Sequence, residues 1–139
     1  MSNVKIKFIL ERLLSIAAAV ILLQTLYFKF TAAPVSVHIF STLGVEPWGR
    51  IGTGVMELLA GLLLLLQRTS FYGALLAIGI MAGAILSHLL FLGIEILGDG
   101  GHVFVLAIIV TICSLGVIII RLEDIKSLIN RLIYNQKNQ

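Results

Sequence analysis

Hydrophobic positions run in four long blocks, Leu13 to Phe30, Ile51 to Leu66, Phe71 to Ile94 and Val103 to Ile120, separated by short polar or glycine-containing connections. A helix crosses the roughly 30 Å hydrocarbon core of a bilayer with about 20 residues, so each block, with its flanking residues, is a candidate span. The expected architecture is all-α. It is a four-transmembrane-helix bundle with spans near residues 10–30, 48–67, 71–94 and 102–121, forming a single integral membrane domain over residues 1–139.

The connections carry their own signals. Pro34 suits the first residue of a short helix and Gly44 its stop, which predicts a helix over Val35 to Leu43 on the outer membrane surface. Glu46 and Pro47 read as the cap and first turn of the second span. The tight Gln67-Arg68-Thr69-Ser70 connection makes the second and third spans antiparallel neighbours. After Ile120, the residues Leu122, Ile125, Leu128, Ile129, Leu132 and Ile133 share one helical face with basic residues opposite. Residues 122–134 are therefore expected to form a C-terminal amphipathic helix, lying on the inner leaflet or docking a partner.

Composition supports a bilayer environment: 59% of residues are hydrophobic, 12% are charged, and the mean hydropathy is +1.08. The basic residues sort by membrane side rather than clustering, so the pI near 9.3 does not indicate nucleic acid. Lys29 and Arg50 flank the first connection, whereas the remaining lysines and arginines lie at the termini or at Arg68. The positive-inside rule then predicts cytoplasmic N- and C-termini in the cytoplasmic membrane. The first block is long for a signal-peptide core, and Thr31-Ala32-Ala33 is a poor cleavage site. Cys113 stands alone, which excludes an internal disulfide and points to a packing role.

Glu57 is the residue that demands explanation, a carboxylate inside an otherwise uncharged apolar run. Ionisable groups in spans usually face a bundle interior or a wet cavity and mark a site. At 100° per residue Arg50, Gly54, Glu57 and Gly61 share a stripe about 60° wide, so that edge is expected to face inward with Glu57 leaning toward Arg50. The rise between the two is about 10 Å, so contact needs stretched chains or something between them. His88, His102 and Gln24 fall at a comparable depth in the other spans. The candidate ligand-binding set is thus Arg50, Glu57, His88, Gln24 and His102, with Glu57 and His88 the candidates for proton transfer. Gly79, Gly83 and Ser87 form a further small-residue stripe, expected to pack closely. The structural alternative makes Glu57 a hydrogen-bonded bundle residue and Arg50 a headgroup anchor. A haem held by His88 and His102, or a metal on Glu57, His88 and His102, has no supporting ligand spacing, and no metal site is predicted.

The run Trp48-Gly49-Arg50-Ile51-Gly52-Thr53-Gly54-Val55-Met56-Glu57-Leu58-Leu59-Ala60-Gly61, followed one span later by Gly83 to His88, resembles the DoxX family of small four-span membrane proteins. The resemblance covers roughly residues 8 to 122 and places the family's polar positions on Arg50, Glu57 and His88. It implies a redox-associated membrane subunit that binds a quinone or similar amphiphile in an outer-leaflet pocket, with proteins of a membrane redox complex as partners. The short outer loops and the absence of paired cysteines depart from a sulfur-oxidising member. A non-catalytic assembly or scaffold factor is the alternative expectation. A small-solute transporter is a weaker one, since the inner half of the spans is apolar.

Overall fold

The computed structural model describes residues 2–137, with Asn135 and Lys137 described by their backbone alone. Six helical segments follow one another: α1 (Asn3–Phe30), α2 (Pro34–Thr42), α3 (Trp48–Leu65), α4 (Ser70–Ser87), a five-residue π-helical turn (His88–Leu92) and α5 (His102–Lys137). Among the described residues there is no strand. Three of the helical stretches are long and apolar enough to cross a membrane: Trp48–Leu65, Ser70–Leu92 and His102–Tyr134. An apolar-helix bundle of this kind belongs in a lipid bilayer.

The long helices form a ring in the order α1, α3, α4, α5, with α5 closing back on α1. Where they meet, the side chains are small: Ala18 and Ala19 of α1, Ala60 of α3, Ala74 and Ala77 of α4, and Ala107 of α5 are buried. Small residues let backbones approach closely, which is how helices associate where lipid removes the hydrophobic drive. Leu22, Leu64, Met81, Val110 and Val117 fill the remaining space, and Cys113 sits among them as the packing residue expected of it. Gly73 marks the place where two helix backbones come into contact. A Cβ placed there would stand 2.6 Å from the Leu64 backbone nitrogen, so α4 crosses α3 in direct backbone contact.

Pro34 opens α2 at its first turn, and Gly44, at φ +72°, supplies the left-handed residue that ends the segment. Glu46 and Pro47 behave differently from expectation. Pro47 occupies the cap position of α3, no side chain caps it, and the Glu46 carboxylate turns to Arg50 instead. The third apolar block is not one regular helix to Ile94, because its last turns widen into the π segment and end at Leu92. Residues 122–134 are helical as expected, yet they form no separate surface helix. They continue α5 without a break for 36 residues, about 54 Å, with their side chains exposed. No glycine or proline lies between residues 117 and 137 to bend the end of α5 aside.

Candidate functional site

The predicted inward stripe of α3 is the helix's buried edge: Arg50, Gly54, Glu57 and Gly61 are all buried, together with Ala60 and Leu64. The glycines let α1 lie against it. Cβ atoms at Gly54 and Gly61 would come within 3.0 Å of the Phe30 ring and 2.8 Å of the Leu23 side chain. That closeness delivers a partner to Glu57 that the sequence did not single out. Lys29 Nζ stands 2.9 Å from Glu57 Oε2, and Thr25 Oγ1 donates to the same oxygen at 3.1 Å. Near the end of α1, Lys29 has a stem long enough to reach outward to the headgroup region. Its stem folds inward because a carboxylate taken out of water needs a close counter-charge, and this ammonium is the cation within reach.

Arg50 does not join Glu57. Its Nη2 lies 2.7 Å from Glu46 Oε1, its Nε donates to both Glu46 oxygens at 2.8 and 3.0 Å, and its Nη1 donates to the Lys29 carbonyl. Glu46 is one turn away, a far shorter reach than the seven-residue rise to Glu57, and carbonyls in the last turn of α1 need outside donors. Two pairs, Arg50 with Glu46 and Lys29 with Glu57, thus replace the single expected partnership. Arg50 ties the last turn of α1 to the segment between α2 and α3 and does not line the space beside Glu57.

That space is a cavity of about 830 Å³ at the end of the bundle that carries α2. Its volume falls in the range of pockets that enclose drug-sized ligands. Val35, Ser36, Ile39 and Phe40 of α2 and Leu43 just after it form one wall, and most of the rest is aliphatic. Four of the five residues proposed as ligand contacts line it: Gln24, Glu57, His88 and His102. Thr25, Lys29, Ser87 and Asp99 join them. Gly79 and Gly83, expected to pack against a neighbour, instead border the cavity, with nothing within 4 Å of where a Cβ would sit. Polar groups therefore enter from the α1 and α3 side through Lys29 and Glu57, and from the α4 and α5 side through His88, Asp99 and His102.

His88 is buried at the start of the π turn. Its Nδ1 lies 2.8 Å from the Gly93 carbonyl, which only accepts, so Nδ1 carries the hydrogen and Nε2 is the free ring atom. The ring leans on Phe104, with centroids 5.5 Å apart. Widened π turns recur at functional positions, and this one sets both the ring and its carbonyl partner. Asp99 organises the following loop by accepting from the backbone N–H groups of Ile96 and Gly101 at 2.8 Å and of Val103 at 3.1 Å. Partial burial pushes its carboxyl up, but these three donors and the nearby His88 outweigh that and hold it below the ordinary aspartate range.

A second polar cluster, which the sequence reading passed over, lies at the opposite end of the bundle. Glu11 is buried there; Ser70 and Ser15 donate to its Oε1 at 2.6 and 3.1 Å, and Arg121 Nε at 3.2 Å. Arg12 donates to both Glu11 oxygens and reaches the Leu65 carbonyl at the end of α3, while Arg121 also donates to the Gln67 carbonyl. The signal was present in the sequence. Glu11, Ser15, Ala18 and Leu22 repeat on α1 the spacing of the α3 stripe. Among the described residues, no group of three His, Cys, Asp or Glu side chains is gathered to hold a metal ion. No family model, curated protein or solved structure matches the chain.

Proposed function

We propose that this chain is a membrane-embedded binding protein for a quinone or similar amphiphile, a redox-associated subunit of the kind its resemblance to DoxX proteins implies. One observation carries the reading: a largely aliphatic cavity of about 830 Å³ into which Lys29, Glu57, His88 and His102 bring polar atoms. An apolar enclosure with a few convergent polar groups is what an amphiphile requires, the aliphatic wall taking its tail and the polar groups its head. In this reading α1 is the fourth span, the charge distribution puts both termini in the cytoplasm, and the cavity opens in the outer leaflet of the cytoplasmic membrane. Lys29 donates to a carbonyl or anionic oxygen, and Glu57 and His88 exchange protons with the head. Arg50, in the role reassigned to it, holds the walls in place.

The test is a titration of the protein in lipid nanodiscs with a decyl-substituted benzoquinone. Saturable binding is expected, weakened about tenfold or more in Lys29→Ala and in His88→Ala, the magnitude of one lost hydrogen bond to a charged or well-placed partner. Absence of saturation, or variants that bind as the parent does, counts against a head-group site here.

A second reading rests on the far end of α5. Its exposed apolar face beyond Ile120 suits a non-catalytic assembly factor that docks partner proteins. Removing residues 122–139 would then abolish partner co-purification while leaving quinone binding intact.

A further inference from the structure

The donor and acceptor inventory of the cavity discriminates between head groups. Glu57 and His88 are each only 3% exposed, yet each keeps one hydrogen-bonding atom uncommitted. Both contacts to the Glu57 carboxylate fall on Oε2, and no hydrogen bond reaches Oε1 among the described residues. Oε1 is not sealed, because Ser114 Oγ is the one fully enclosed side-chain oxygen or nitrogen there without a partner. The same holds for His88 Nε2, since the ring's hydrogen bond uses Nδ1. Both residues line the cavity, so the free space these atoms reach is its interior.

A carboxylate oxygen only accepts, and the Nε2 of a neutral ring whose hydrogen is on Nδ1 also accepts. Two acceptors that face a largely aliphatic cavity are costly to leave without donors unless a ligand or water supplies the hydrogens. A ligand offering only carbonyl or ether oxygens cannot satisfy them. An amine cation could, but it would enter beside the Lys29 ammonium. A hydroxyl satisfies the first of these acceptors: it donates to Glu57 Oε1 while its own lone pairs accept from Lys29, whose ammonium has donors beyond its contact with Glu57. A water or a second hydroxyl serves His88 Nε2.

We infer that the cavity selects a hydroxyl-bearing amphiphile, such as an alkyl phenol or a quinol, over the matching carbonyl or ether compound, with Glu57 Oε1 as the atom that reads the hydroxyl hydrogen. The inference rests on the proposed binding function and adds the hydrogen-bonding character of the head. It involves no chemical step.

The experiment compares 4-decylphenol, 4-decylanisole and 4-decylacetophenone at pH 8 in nanodiscs containing the intact chain, with affinities corrected for partitioning into empty nanodiscs. The phenol is expected to bind about tenfold or more tightly than either of the others, and Glu57→Gln to reduce that preference severalfold. Equal affinities for all three, or a preference for the ketone, overturn the inference while leaving the cavity a binding site. If none of them saturates, the binding function falls along with the inference. Because the three-ligand comparison is made on the unsubstituted protein, it stands even if Glu57→Gln fails to fold.

Discussion

Lys29 and Glu57 are the residues on which both the packing of α1 against α3 and the proposed binding turn. Each is largely withdrawn from solvent, with side-chain exposures of 14% and 5%. Removing one member of a buried pair leaves an uncompensated charge, which typically costs about 3–5 kcal/mol, whereas replacing both with apolar or neutral residues of similar volume can be nearly neutral. Lys29→Met is therefore expected to destabilise by about 3 kcal/mol, and Lys29→Met combined with Glu57→Gln to recover much of that loss. A double-mutant cycle on unfolding in mixed micelles measures it. Additive effects would mean the two side chains do not act as a pair. Glu57 was legible because a lone carboxylate in an apolar run has few explanations. Its partner was not legible, because Lys29 ends a different helix and a lysine stem can turn toward headgroups or inward with equal covalent ease. What decides is the absence of side chains at Gly54 and Gly61, which lets α1 approach.

Among the elements, glycine does opposite things on the same helix. At Gly73 a methyl group would meet the Leu64 nitrogen at 2.6 Å and the Leu63 carbonyl carbon at 2.9 Å, backbone atoms that cannot rotate away. Gly73→Ala should force α4 off α3 at a cost of about 1–3 kcal/mol. Gly79→Ala meets nothing within 4 Å and should be neutral or stabilising by up to about 1 kcal/mol, the gain in helix propensity. Thermal unfolding of the two variants side by side separates close packing from open space; similar losses would contradict the cavity's position along α4. The helical period showed which residues share an edge, and it succeeded for α3, but it could not say whether a glycine stripe on α4 meets a neighbour or a void. The π turn was hidden for a related reason, since Ser87 to Leu92 reads as ordinary apolar helix and the widening shows in backbone bonds such as that from the Gly93 nitrogen to the His88 carbonyl at 2.8 Å. The loop after it invites a pH test. Asp99 is held below its usual range, so its contribution to loop order is present above about pH 4 and is lost as pH falls through its lowered value. Amide exchange at Ile96, Gly101 and Val103 should quicken on acidification in the parent and be insensitive to pH in Asp99→Ala, once intrinsic exchange rates are divided out.

Across the whole molecule the two ends of the bundle are built to different purposes. At the end with α2 the helices part around a cavity onto which Glu57 and His88 open hydrogen-bonding atoms that no other side chain or backbone group among the described residues engages. At the other, Glu11 draws in Arg12, Arg121, Ser15 and Ser70 from three helices, and the two arginines also bond carbonyls at the end of α3 and in the following turn. Arginine at a helix C-terminus meets both the orphan carbonyls and the negative end of the dipole, so the clamp closes the ring of helices where the cavity does not reach. In sequence Glu11 sits beside Arg12 and close to Lys5 and Lys7, which reads as a solvated head, and only its register with Ser15, Ala18 and Leu22 marks it as inward. This division of labour makes the effects of substitution separable. Glu11→Ala strands two arginines and empties the centre of the clamp, and it should destabilise by about 3 kcal/mol. Because no clamp residue borders the cavity, the fraction of the variant that remains folded should bind the decyl-benzoquinone or decylphenol probe within about twofold of the parent. Unfolding midpoints together with probe affinities, measured on the same nanodisc preparations, test both halves. A Glu11→Ala protein of unchanged stability, or one that stays folded but loses the probe, would show that the two ends are not independent.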